Sequence, residues 1–151
     1  MTISRIKIAA LLSISIIILN KAMAIETPKH TLVKKENGFE IRQYDSMIIA
    51  TTSVRSDYSD AASTGFRRIA SYIFGGNSAS MSIEMTAPVL TNTPDPEDIY
   101  EIQFIMPSEH SMEDLPQPNS QNVTLKKVNL GKTAVMRFGG WATKDLSLIH
   151  I

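Results

Sequence analysis

Ser71-Tyr-Ile-Phe-Gly-Gly-Asn77, followed shortly by Ile83-Glu-Met-Thr-Ala-Pro-Val89, carries the end of an amphipathic helix through a glycine stop into a strand interrupted by proline. Upstream of the glycines, Asp57 offers an N-cap with Asp60 three residues on. Tyr58, Ala62, Phe66, Ile69 and Ile73 then recur at helical spacing until Gly75-Gly76-Asn77 ends the run, so the stretch predicts a capped amphipathic helix. Arg67, Arg68, Ser63 and Ser71 fall largely off the apolar stripe, as residues of a solvated face do. Downstream, Glu84–Leu90 and Tyr100–Met106 read as strands joined by the turn-rich segment Thr91–Asp98. Pro88 has no amide hydrogen to donate, which places it at an edge, a strand end or a bulge.

On the N-terminal side of the helix, Gly38–Tyr44 alternates, with Phe39 and Ile41 on one face and Glu40 and Arg42 on the other. Asp45-Ser46 then punctuates before Met47–Val54, and the two segments are expected to form a hairpin. On the C-terminal side, the polar stretch Pro107–Gln121 acts as a connector. Val123, Leu125 and Val128 then alternate, Asn129-Leu-Gly131 is expected to turn, and Lys132–Phe138 to return as a second hairpin. The spacing Phe39-x-Ile41-x-x-Tyr44 parallels Val123-x-Leu125-x-x-Val128. The expected class is therefore α+β, with a β-β-α-β-β unit followed by the start of its repeat. A helix and two strands should follow Gly139-Gly140. Thr143 could cap such a helix, but Leu146–Ile151 is too short for those elements, so the second repeat is expected to be truncated.

The first 24 residues read differently from the rest. Arg5 and Lys7 precede the apolar run Ile8–Leu19, and Ala22-Met-Ala24 supplies small residues at the spacing of a cleavage site, the pattern of a secretory signal. The run is shorter than the roughly 20 apolar residues a membrane-crossing helix needs, which argues against a permanent anchor. The organisation expected is a signal peptide over 1–24, a polar lead-in over 25–37 and one domain over 38–151, in a periplasmic or secreted protein. Cleavage takes Arg5, Lys7 and Lys21 from 15 basic residues set against 15 acidic ones. The remaining acidic excess gives nucleic acid no general attraction. With no cysteine in the chain, disulfides, thiolate metal sites, a cysteine nucleophile and covalent c-type haem attachment are excluded.

Several segments together resemble the SOUL haem-binding family. They are Phe39-Glu-Ile-Arg-Gln-Tyr44, Gly65-Phe66, Tyr72-Ile73, Gly75-x-Asn77, Ile83-x-Met85-Thr-Ala-Pro-Val89, Ile105-Met-Pro107-Ser-Glu109, Leu115-Pro116-x-Pro118 and Arg137-Phe-x-Gly140. They occur in order and cover most of residues 38–141. The resemblance implies a distorted antiparallel β-barrel of two repeats, each with a helix packed on the sheet. It also implies non-covalent binding of haem or a related tetrapyrrole, without catalysis. By the same resemblance the ligand lies against the first helix, on Phe66, Ile69, Ala70 and Ile73, with Arg67 and Arg68 near the propionates. A guanidinium meets a carboxylate bidentately, which suits arginine to that role. Some family members carry a histidine on the first strand where this chain has Gln43, and an amide is a poor iron ligand.

The sequence leaves the iron ligand unassigned. His30, His110 and His150 stand in polar or terminal segments, where an exposed histidine is the simplest reading. Met81, Met85, Met106 and Met112 could supply a thioether or a soft wall, although at strand positions such as Met85 and Met106 core packing is the commoner role. There is no Gly-x-Ser-x-Gly elbow, His-Glu-x-x-His, phosphate loop or dinucleotide fingerprint, so nothing positive supports an enzyme. The expected function is that of an exported haem-binding protein that sequesters, buffers or carries its ligand. The rival expectation is an envelope interaction module that uses the same groove for another apolar ligand or a partner peptide.

Overall fold

The alternating and helical patterns above become one helix laid on one antiparallel sheet in a computed structural model, which describes residues 25–93, 98–137 and 139. The elements run in the order β1 (His30–Glu36), β2 (Phe39–Arg55), α1 (Tyr58–Ile73), β3 (Val89–Asn92), β4 (Ile99–Ile105) and β5 (Thr124–Met136). Among the described residues, none belongs to a helix long and apolar enough to cross a membrane. The signal-peptide segment and the residues after Gly139, where the rest of a second repeat was expected to be cut short, lie outside the described residues.

The sheet is organised around β2. β5 pairs with it antiparallel from Phe39↔Met136 to Thr51↔Thr124. On its opposite side β2 has two partners placed end to end, β1 along residues 39–44 and β4 along 49–55. β3 continues the sheet beyond β4. Among the described residues the sheet is open, with β5 at one edge and β1 and β3 at the other. The architecture is thus α+β and mostly antiparallel.

Both expected hairpins are corrected. β2 passes through Asp45-Ser46 without turning, and β5 passes through Asn129–Gly131 in the same way. The reason lies in the register, which sets Tyr44 against Gly131 and Ser46 against Asn129. Each turn-forming segment is held extended by the other strand. Gly131 retains a left-handed φ of 58°, and its amide donates to Asn129 Oδ1 at 2.9 Å, so the turn geometry survives as a local kink. The polar segment before Gly38 is also more than a lead-in, because residues 30–36 form β1 and pair with β2. The strand expected over Glu84–Leu90 starts only at Val89. Before it, the Ile83 amide donates to Ile73 O at 2.8 Å and the Ala87 amide to Glu26 O at 2.8 Å. Those bonds go to different elements and form no ladder, and Pro88 adds no donor.

The helix forms as its sequence predicts. Asp57 is the N-cap and accepts a 3.0 Å hydrogen bond from the Asp60 amide, satisfying one of the free donors of the first turn. Its C-terminus ends at Phe74, after which Gly75 takes φ 102°. A left-handed residue just past a helix favours glycine. The buried face carries Ala61, Gly65, Ile69, Tyr72 and Ile73. It lies on a row of cross-strand pairs, Ala50↔Phe104, Thr52↔Ile102 and Val54↔Tyr100. Fully burying an isoleucine is worth roughly 1.5–3 kcal/mol, so Ile69 and Ile73, both at 0 % exposure, fasten α1 to the sheet. The edge-on Tyr58–Tyr100 and Phe66–Phe104 ring pairs, with centroids 5.7 and 5.3 Å apart, close its first half.

The Gly-Gly-Asn stop has a second duty. Asn77 is 1 % exposed and its amide nitrogen donates to Tyr72 O and Met81 O at 2.9 and 2.7 Å. Its Oδ1 accepts from the amides of Ala79 and Met81. The loop it shapes grips the Leu115–Asn119 connector, with Ser78 N donating to Gln117 O and Asn119 N to Gly76 O. Tyr72 adds a 3.0 Å bond from its hydroxyl to Pro116 O. The helix stop and the proline-containing connector therefore stabilise each other.

Candidate functional site

An amphipathic helix on a sheet needs only one apolar face, so apolar residues on its outer face require another explanation. On α1 and its cap, Phe66 and Phe74 are 41 % and 64 % exposed, and the half-buried Ala70 lies between them at four-residue spacing. Residues four apart share a face. The segment Ser82–Val89 runs beside this strip. Ser82 bridges Phe74 at one end, and at the other Val89 stands opposite Phe104, the ring that Phe66 meets. Met85 and Val89 on this segment are 38 % and 40 % exposed. Phe66, Ala70 and Phe74 thus follow one side of α1, and Met85 and Val89 are exposed apolar residues of the segment that runs from Phe74 to the Phe104 strand position. The rest of the helix's outer face is polar.

The expected site residues divide over this surface. Phe66, Arg67 and Ala70 reach it. Ile69 and Ile73 do not, since both are fully buried against the sheet and support the face from beneath. Arg68 is tied down, its Nη1 donating to Thr52 Oγ1 at 3.3 Å and to Ser53 O at 3.1 Å, which fixes the helix to β2. Arg67 is exposed and donates only to Thr64 Oγ1, at 3.1 Å. Gln43 donates to the Tyr44 carbonyl at 3.1 Å, on a different element. Met85 is not the core residue expected from its sequence position, whereas Met106 is, at 4 % exposure. Phe74, Met85 and Val89 were missed by the sequence reading. The signal for Phe74 was its spacing from Phe66 and Ala70; Met85 and Val89 required the path of the chain after the helix.

A second concavity lies where β2 changes partner. Between β1 and β4 the interval Asp45–Ile48 faces the segments Glu26–Lys29 and Ile105–Glu113, which enclose a cavity of about 400 Å³. Its walls are fastened. Glu26 Oε1 accepts from the Ser108 amide at 3.1 Å, and Thr86 Oγ1 donates to Ile105 O at 2.6 Å. The connector closes on itself through Ser111 and Asp114, whose carboxylate accepts from the Ser111 hydroxyl at 2.7 Å and from its amide at 3.2 Å.

Those bonds hold the Asp114 carboxyl below the usual carboxylate range, the Ser111 hydroxyl contributing most, its amide next and nearby His110 a smaller share. A carboxyl depressed in the folded state stabilises the fold above its unfolded pKa of about 3.9, and that contribution is lost as pH falls through the lower folded value. Thermal melts between neutral and strongly acid pH should therefore show a small acid loss. Asp114→Asn is expected to remove that part of the pH dependence, and an unchanged profile would contradict the assignment.

A family model described as "SOUL heme-binding protein" matches residues 25–148, and the chain belongs to the SOUL haem-binding protein family. It is 33 % identical over 132 residues to human "Heme-binding protein 2", an alignment spanning 81 % of this chain and 64 % of that protein. Mouse "Heme-binding protein 2" is 32 % identical over 112 residues, spanning 70 % of this chain and 54 % of the relative. The chain thus covers less than two thirds of the length of either relative.

Proposed function

We propose that this protein binds haem or a related tetrapyrrole non-covalently on the outer face of α1, and that it does so outside the cytoplasm, as a buffer, sequestering agent or carrier. Family membership and the names of the two relatives support the ligand class; the leader-like residues 1–24 support export. The observation that carries the choice of site is the exposed strip Phe66–Ala70–Phe74 beside Met85 and Val89. A porphyrin offers a broad apolar face for which two partly exposed phenyl rings are suited, by stacking and by burial at roughly 25 cal/mol per Å². Arg67 supplies a cation for a propionate. The residues therefore fit the group. Met85 would offer a soft thioether to the iron, and when bound the haem would supply the redox and ligand-binding chemistry of that iron.

The larger architecture proposed is the two-repeat barrel. Matching Phe39 to Val123 also matches Ser46 to Leu130, the neighbour of the Asn129 with which Ser46 pairs. Equivalent positions of β2 and β5 thus meet near one point, as they do about a local two-fold axis between repeats.

Haem titration followed by Soret absorbance tests the ligand and the face together. Saturable binding in the micromolar range is expected. The double substitution Phe66→Ala with Phe74→Ala should weaken it roughly tenfold or more, taking about 0.5–1.5 kcal/mol for each ring interaction. Neither ring is in the core cluster, although Phe66 gives up its edge-on contact with Phe104, and thermal melts check that the variant remains folded. The reading fails if binding is not saturable. Saturable binding indifferent to both rings would move the ligand elsewhere and leave the strip as the contact face of an interaction module.

A further inference from the structure

The cavity between β1 and β4 gathers an unusual set of donors. Met47 comes from β2, Met106 from the position just after β4, and His110 and Met112 from the connector. Three of the chain's eight methionines thus line one small space with one imidazole. Methionine most often fills gaps in a core. Only Met106 does so here, as a member of the buried cluster. Met47, His110 and Met112 are half-buried at the cavity wall. None of these four residues belongs to the outer face of α1.

We infer that this cavity is a binding site for a soft monovalent d¹⁰ cation, of which Cu(I) is the biological representative. Thioether and imidazole donors favour Cu(I), whereas Mg²⁺ and Ca²⁺ require oxygen donors. A thioether carries no proton to displace, so the three methionines can ligate without losing one, whereas the imidazole must be neutral to do so. Among the described residues no group of three or more His, Cys, Asp and Glu side chains comes together, which disfavours a zinc-type site. The charge balance also permits a cation, because Glu26, Asp45 and Glu113 line the cavity against Lys29 and Lys127. Ile48 and Ile105 supply apolar wall, and the Glu26–Ser108 and Ser111–Asp114 bonds hold the ligand-bearing loops in place.

The test uses the full chain without haem, labelled at its methionine methyl groups, and titrated with Ag(I) as a redox-stable probe in chloride-free buffer. The methyl signals of Met47, Met106 and Met112 should move together and saturate at one equivalent, while those of Met81, Met85 and Met136 stay in place. Competition with a chromophoric Cu(I) chelator should then show that His110→Ala and Met112→Leu each weaken Cu(I) binding at least tenfold, and that Met136→Leu leaves it unchanged. Both altered residues are partly exposed connector residues, and thermal melts check that the variants remain folded. The inference is overturned if the three methyl groups do not move by one equivalent, if Met85 or Met136 moves as much, or if either His110→Ala or Met112→Leu fails to weaken Cu(I). The haem reading is untouched by any of these results, since its face is formed by other residues.

Discussion

Asn77→Ala should destabilise the protein by about 3 kcal/mol, seen as a fall in the urea midpoint with an unchanged slope. The basis is the four hydrogen bonds of a side chain only 1 % exposed. Each buried polar group left without a partner costs roughly 1–3 kcal/mol. Ala79 is exposed, so its amide can turn to water, but the Tyr72 carbonyl and both backbone groups of Met81 depend on Asn77. Asn77→Asp separates donor from acceptor. It keeps the two acceptor bonds and replaces the amide nitrogen with an oxygen facing the carbonyls of Tyr72 and Met81. That variant should be less stable at neutral pH than Asn77→Ala, because two attractive bonds become repulsive. A loss below about 1 kcal/mol in the alanine variant would show that the loop is held by its connector bonds and not by Asn77.

Gly65→Ala should be the second large loss, about 2 kcal/mol net, although alanine is the better helix former. A β-carbon at Gly65 would collide with Ile102 Cγ1 and lie 2.6 Å from Ile102 Cβ, too close for any rotamer of Ile102 to relieve. The helix would have to lift, loosening Ile69, Tyr72 and Ile73 with it. Overpacking of this kind costs typically 1–3 kcal/mol or more, against about 1 kcal/mol of helix propensity gained. Gly65→Val should unfold the domain at ambient temperature. The loss on Gly65→Ala should shrink when measured in an Ile102→Ala background, a coupling that a double-mutant cycle reads directly. A Gly65→Ala protein more stable than the parent would refute the close approach of α1 to β4.

The helix was legible because Asp57, the apolar spacing and Gly75 agree with one another, and tertiary packing had nothing to override. β4 was legible for the same reason, its alternation matching one covered face. β2 and β5 were misread as hairpins because Asp45-Ser46 and Asn129–Gly131 are turn formers in isolation. Their mutual pairing is a long-range fact that no local window contains. β1 was missed because all seven of its residues are exposed, so hydrophobic alternation leaves no trace in His30–Glu36. At the candidate site, Arg67 could be read as lying off the apolar stripe, but Phe66 stood on that stripe with Ile69 and Ile73. Periodicity alone could not separate the exposed ring from the two buried isoleucines, since ligand contact and sheet contact select the same residue types. The cavity was invisible for a different reason. It exists only because two strands share one side of β2 and stop short of each other.

That shared strand divides the backbone into parts of unequal permanence. Residues 39–44 of β2 are flanked by the wholly exposed β1, while residues 49–55 are clamped by β4 beneath the helix. Amide hydrogens of the first stretch that bond to β1 should exchange with solvent through local opening, and those of the second that bond to β4 far more slowly. The joint between the slow and fast halves falls at Asp45–Ile48, beside the cavity. A ligand seated there would touch both halves, and its clearest signature would be slower exchange along β1 and the start of β2, well away from the atoms that hold it.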